Sequence, residues 1–166
     1  NLLNKKNVWD AISITPGTKF MNKLDYKLNK YFTQKNIILS LSNEPGEGEH
    51  KIFKYIRTIK HNDENILIYG MDADLFMLSL LHLKYSKNIY LYRETPNFIN
   101  SLNCSLNKDD KYYININLLG LRIFNIMTSD IEFNYELFYK IIEDYILLCF
   151  FLGNDFMPHF PILNIR

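Results

Sequence analysis

The chain has 166 residues, of which 48% are hydrophobic and 22% charged, a globular composition that excludes a disordered polymer. Taking about 150 residues per domain as a soft prior, that length suits roughly one domain. Nineteen basic residues against 18 acidic ones leave a net charge of +1, which excludes a polycation built to coat nucleic acid, and no apolar run approaches the ~18 residues of a membrane span.

Thr15-Pro16-Gly17-Thr18 reads as a turn, with Thr18 placed as an N-cap. From Lys19 to Gln34, Phe20, Leu24, Leu28 and Tyr31 recur every three or four positions, which predicts an amphipathic helix. Ile37-Ile38-Leu39-Ser40-Leu41 predicts a short strand, broken by Glu44-Pro45-Gly46. A second helix follows, with Ile52, Tyr55, Ile56 and Ile59 on one stripe. Asn65 to Tyr69 predicts a buried strand closed by Gly70, Ala73 to Leu83 a helix, and Ile89 to Tyr92 a strand. That alternation implies an α/β fold with a parallel sheet flanked by helices and right-handed crossovers. Pro96 to Asp110 is polar and irregular, a loop or insertion. Tyr112 to Asn117 alternates weakly as a strand, Leu118 to Ile126 predicts a short helix, and Asn134 to Leu152 a long one that Gly153-Asn154 ends. The chain thus leads into a helical segment at its C-terminus.

Two acidic pairs stand at element boundaries. Glu47 and Glu49 lie in Pro45-Gly46-Glu47-Gly48-Glu49-His50-Lys51, where the glycines let the backbone turn before a helix whose dipole favours negative charge. For these two residues alone an ordinary acidic helix start is the favoured reading. Asp72-Ala73-Asp74 follows the apolar run Ile66 to Tyr69; in an extended segment positions i and i+2 face one side, at the strand end where α/β sheets bind ligands. Helix capping by Asp72, with Asp74 solvated, is the competing reading. Asp155 follows an almost wholly apolar stretch, where a charge is costly unless paired or bound to a metal; a capping role beyond the helix end is its alternative. Five carboxylates brought together repel, and divalent cations relieve that. All-oxygen ligation suits Mg²⁺ or Mn²⁺, and two such ions roughly 3.5–4 Å apart support phosphodiester hydrolysis.

Four segments, Asp10 to Met21 (with ITPGTKFM), Pro45 to Ile52 (PGEGEHKI), Tyr69 to Leu75 (YGMDADL) and Cys149 to Pro161 (CFFLGNDFMPHFP), resemble the XRN-type 5′→3′ exoribonucleases, in that family's order. The resemblance spans Asp10 to Arg166 and implies a flap-endonuclease or PIN-like nuclease core. It implies processive, metal-dependent release of mononucleotides from single-stranded RNA bearing a 5′-monophosphate. Carried over by motif, Glu47, Glu49, Asp72, Asp74 and Asp155 are the implied catalytic, metal-holding residues, with Mg²⁺ or Mn²⁺, in two ions, as cofactor. It implies residues 1–95 as the C-terminal part of the nuclease domain and 96–166 as a connecting loop and the start of a helical region. The chain begins without Met and without a signal-peptide pattern, as an excerpt from a longer protein would. In the family an upstream part supplies two further metal-site aspartates and a basic 5′-phosphate pocket, so the isolated chain is expected to be inactive.

Weaker signals accompany these. Lys19, Lys23, Lys27 and Lys30 make one basic stripe, and Lys51, Lys54, Arg57 and Lys60 a second; each could track an RNA backbone, but a solvated face in a lysine-rich chain is the favoured reading. His50, His61, His82 and His159 show no metal-ligand spacing. Cys104 and Cys149 form no CxxC pair, which points to free thiols in a reducing, intracellular compartment, cytoplasm or nucleus. Aspartyl-phosphate phosphatases also place Asp-x-Asp after an apolar strand, but their usual threonine position holds Phe76, and they leave Glu47 and Glu49 unexplained. An RNA-binding scaffold with an incomplete site is the non-enzymatic alternative.

Overall fold

The computed structural model describes residues 9–33, 35–59, 63–93, 101, 103–107, 110–129, 131–153 and 157–162. The chain divides into two compact units, Asn1–Ile52 and Phe53–Arg166.

In the first unit Asp10 caps a single 3-10 turn, Ala11–Ser13, by accepting from the N–H of Ile12. Helix α1, Lys19–Phe32, starts at Thr18, whose hydroxyl accepts from the Met21 N–H at 3.3 Å and donates to the Ser13 carbonyl at 2.6 Å. That cap satisfies an N–H the helix cannot, which is why the helix begins there. Trp9 packs edge-on against Phe20 with ring centroids 4.8 Å apart. No residue of α1 is fully buried, and Lys19, Lys23, Lys27 and Lys30 are all exposed.

Ile37–Leu41 is not a strand, a correction to the sequence reading. Ile38 is 71% exposed, and the Ile37 N–H bonds locally to the Lys35 carbonyl at 2.8 Å. A β-rich run becomes a strand only where a ladder and a buried face receive it. Helix α2, Gly48–Thr58, follows, and the division between the units falls within it.

The second unit holds a three-stranded sheet in the order β1 (Ile66–Tyr69), β2 (Ile89–Tyr92), β3 (Tyr113–Asn115). β1 and β2 are parallel, as expected, with helix α3, Asp74–Leu81, in the crossover. β3 runs antiparallel to β2, so the sheet is mixed rather than wholly parallel. A parallel neighbour needs a crossover that returns the chain to the same sheet end; an antiparallel one does not. Helices α4, Ile116–Thr128, and α5, Tyr135–Phe150, follow, each opened by an asparagine cap: Asn115 accepts from the Leu118 N–H at 2.9 Å and Asn134 from the Glu136 N–H at 2.7 Å.

Register assigns the two sheet faces. Ile68 pairs with Leu91, and Leu91 with Ile114, on the face that packs against α3 and α4. Tyr69 pairs with Tyr92, and Tyr92 with Tyr113, on the other face, where the rings run across three strands at centroid spacings of 5.6 and 5.3 Å. α4 and α5 pack on each other and on α3 around Phe124, Phe138 and Ile142, all buried.

Candidate functional site

β1 and β2 end side by side, and the Gly70 N–H extends their ladder by one bond to the Tyr92 carbonyl at 3.3 Å. From there the chain doubles back into α3. Leu75, buried, lies over the strand end so closely that a Cβ on Gly70 would stand 2.3 Å from its Cδ1. A residue without a side chain therefore sits at position 70, and the tight return places Asp72 and Asp74 beyond the carboxyl end of a parallel strand, where open α/β sheets bind ligands.

The local geometry of this pair differs from the extended segment expected. Ala73 is helical, with φ −70° and ψ −30°, and acts as the cap position of α3 without a side-chain bond. Asp72 turns back instead, its Oδ1 accepting from the Asp74 N–H at 3.2 Å. Helix initiation is thus shared between two residues, and the capping alternative is realised in part by Asp72. Asp72 is exposed; Asp74 is half-buried and opens the first turn of α3, where the helix dipole favours its charge.

Glu47 and Glu49 lie in the first unit, at the start of α2. Gly46 has φ +100°, a conformation a side chain resists, and it turns the chain from Pro45 into the helix. The Glu47 carbonyl accepts the first helical bond, from Lys51 at 3.1 Å. Its exposed carboxylate lies 3.6 Å from His50 Nε2, an ion pair only when that imidazole is protonated. Glu49 is half-buried in the first turn. Lys51 donates to the Leu41 carbonyl at 3.1 Å, and Lys54 and Arg57 continue that stripe exposed; Lys60 lies outside the described residues. Asp155 also lies outside them.

The structure therefore brings Asp72 and Asp74 together and sets Glu47 and Glu49 on one helix start. Within neither unit do three described His, Cys, Asp or Glu side chains gather as a metal cluster. The donor chemistry of the Asp72–Asp74 pair fits a hard divalent cation, since it offers carboxylate oxygens alone.

Sequence reasoning gave no role to one interaction of the second unit. Arg57 Nη1 donates to His82 Nε2 at 2.6 Å, and His82 Nδ1 lies 2.6 Å from the Leu78 carbonyl. Burial, and secondarily the positive charges of Arg57 and Lys84, hold the His82 pKa below its ordinary value, against the opposing pull of the Leu78 bond. The partners stand 25 residues apart, and no local spacing signals them.

Comparison with known proteins follows the same segments. Residues 1–95 match the family described as XRN 5′-3′ exonuclease N-terminus, and residues 134–166 match the Xrn1 helical domain. The chain is 36% identical over 186 residues to 5′-3′ exoribonuclease 2 of Yarrowia lipolytica, covering 99% of the chain and 18% of that protein. It is 36% identical over 182 residues to 5′-3′ exoribonuclease 1 of Saccharomyces cerevisiae, covering 98% and 12%. With 5′-3′ exoribonuclease 1 of Schizosaccharomyces pombe it shares 36% identity over 179 residues, covering 95% and 13%. The chain thus spans less than a fifth of the length of each of these three relatives.

Proposed function

The chain belongs to the XRN 5′-3′ exonuclease family, and on that premise we propose that it serves a 5′→3′ exoribonuclease that hydrolyses single-stranded RNA bearing a 5′-monophosphate. Residues 1–95 belong to the nuclease domain on this reading, and 96–166 lead into the helical region. The single observation that carries it is the placement of Asp72 and Asp74 beyond the carboxyl end of β1, at the start of α3.

Asp72 and Asp74, with Glu47, Glu49 and Asp155, are the residues proposed to hold two Mg²⁺ or Mn²⁺ ions. Bound there, the ions would supply an activated water and charge stabilisation for the leaving oxygen. The chain's own part is to hold the carboxylates in place. The α3 dipole favours the charged form of Asp74, and the Asp72 carboxylate is oriented by the Asp74 N–H. With Cys104 and Cys149 both free thiols, the reducing interior of the cell, cytoplasm or nucleus, is the proposed setting. Among the described residues no helix is long and apolar enough to cross a membrane.

The test compares the complete exoribonuclease that contains this chain with its Asp74→Ala variant on RNA carrying either a 5′-monophosphate or a 5′-hydroxyl, with and without a chelator. Rapid mononucleotide release from the monophosphate substrate, abolished by chelation and by the substitution, is the expected result. Near-full rates for Asp74→Ala at ordinary Mg²⁺ would overturn the ligand assignment.

A further inference from the structure

We propose that His82 is a positioning residue whose neutral imidazole latches the second half of α2 onto the C-terminal end of α3, and that acid opens the latch.

The ring is 5% exposed and lies between two aromatic faces, Phe53 of α2 at a centroid distance of 4.5 Å and Tyr85 at 5.6 Å. Both ring nitrogens are engaged, and their partners dictate the tautomer. Arginine has five donors and no acceptor, so His82 Nε2, 2.6 Å from Arg57 Nη1, must present its lone pair. Nδ1 then carries the hydrogen and donates to the Leu78 carbonyl, one turn back on α3, at 2.6 Å. Only the neutral imidazole satisfies both bonds. A proton on Nε2 would set two donors against each other and place two cations in contact.

The charged groups acting on the ring make this worse. Arg57 comes from α2, and Lys84 follows α3, its ammonium 3.4 Å from Glu143 on α5. Tyr85 presents a ring face rather than a charge. Protonation therefore expels Arg57 and loosens the seat of Phe53 and Ile56, the two buried residues of α2. Because the folded pKa is lowered, the latch is complete above the ordinary histidine value of 6.5 and is lost as pH falls through the folded value.

The latch stands independently of the exoribonuclease reading. Its catalytic consequence rests on that reading, because the helix it holds begins at Gly48 and carries Glu49 in its first turn. Loosening the seat of a continuous helix loosens the carboxylate the helix bears, which raises the Mg²⁺ concentration that hydrolysis needs.

The test separates the two. Without metal or RNA, the His82 imidazole is titrated by NMR, and amide exchange of residues 53–58 is followed over the same range, corrected for its intrinsic pH dependence. A midpoint below 6.5 is expected, with exchange accelerating as pH falls from 6.5 to that midpoint, by about tenfold for each unit of lowering, and levelling off below it. His82→Gln, whose amide oxygen still accepts from Arg57, should show exchange independent of pH. Should that variant not fold, Arg57→Gln serves instead, and the midpoint of its His82 should rise towards 6.5. A wild-type midpoint at or above 6.5, or α2 exchange flat across the titration, overturns the latch. Hydrolysis by the complete exoribonuclease that contains this chain is then measured against Mg²⁺ at about pH 6 and about pH 7.5. The wild type should need more Mg²⁺ at the lower pH and His82→Gln should not. If titration and exchange behave as expected while the two Mg²⁺ dependences coincide, the latch holds and the role given to Glu49 falls.

Discussion

The Asp72 carboxylate accepts the N–H of Asp74 at 3.2 Å, so one acid of the candidate pair orients itself on the backbone of the other. Asp72→Ala removes that bond and one anionic donor at an exposed position, at a stability cost of about 0.5–1.5 kcal/mol. Hydrolysis should fall by at least about 100-fold, equivalent to about 2.7 kcal/mol of transition-state stabilisation. Thermal unfolding measured alongside decay of 5′-monophosphorylated RNA checks both halves. A loss of activity matched by a collapse of the melting transition would assign Asp72 to folding instead.

Ile68→Ala should do the reverse. Ile68 is 3% exposed, on the outer strand β1 and on the sheet face covered by helices. Its truncation removes apolar area and leaves a cavity, costing roughly 2–5 kcal/mol. At a temperature where the variant remains folded, its rate per folded molecule should equal that of the wild type. Urea unfolding with the same assay tests this.

Gly46→Ala probes the entrance to α2. At φ +100° an alanine is strained by roughly 1–2 kcal/mol, although nothing lies within 4 Å of the added Cβ. The loss is therefore conformational, and Gly46→Ser should lose about as much. A stability change below about 0.3 kcal/mol in chemical denaturation would show that the turn relaxes to another conformation.

Asn134→Ala removes the cap of α5, leaving the Glu136 N–H without its 2.7 Å bond. The expected cost is about 1 kcal/mol, and Asn134→Asp should retain most of it. Comparison of the three denaturation midpoints decides the point.

Where the chain decides its structure locally, the sequence was readable. Thr18 is a cap because its side chain reaches the N–H three residues ahead, and the 3.6-residue period of α1 marks a face. The parallel pairing of β1 with β2 followed from a helix standing between two apolar runs. Ile37–Leu41 misled because β-propensity expresses a packing environment, which five residues do not carry. The direction of β3 is a matter of where the chain returns, which no side chain records. At the site the residue types were legible and their arrangement was not. The i, i+2 argument assumed an extended backbone, whereas Ala73 has already entered the helical region. Arg57 read as one member of a basic stripe, yet its guanidinium is turned to a histidine buried on another helix.

The only tryptophan, Trp9, stands edge-on to Phe20 in the first unit, whereas the row Tyr69, Tyr92 and Tyr113 crosses the sheet of the second. The indole is therefore an optical signature confined to the first unit. Indole emission reports on Trp9 beside α1, whereas near-ultraviolet circular dichroism sums the aromatic rings of both units, most of whose tyrosines lie in the second. Melting followed in both channels on one sample asks whether the units come apart in a single step or in two, with no label introduced.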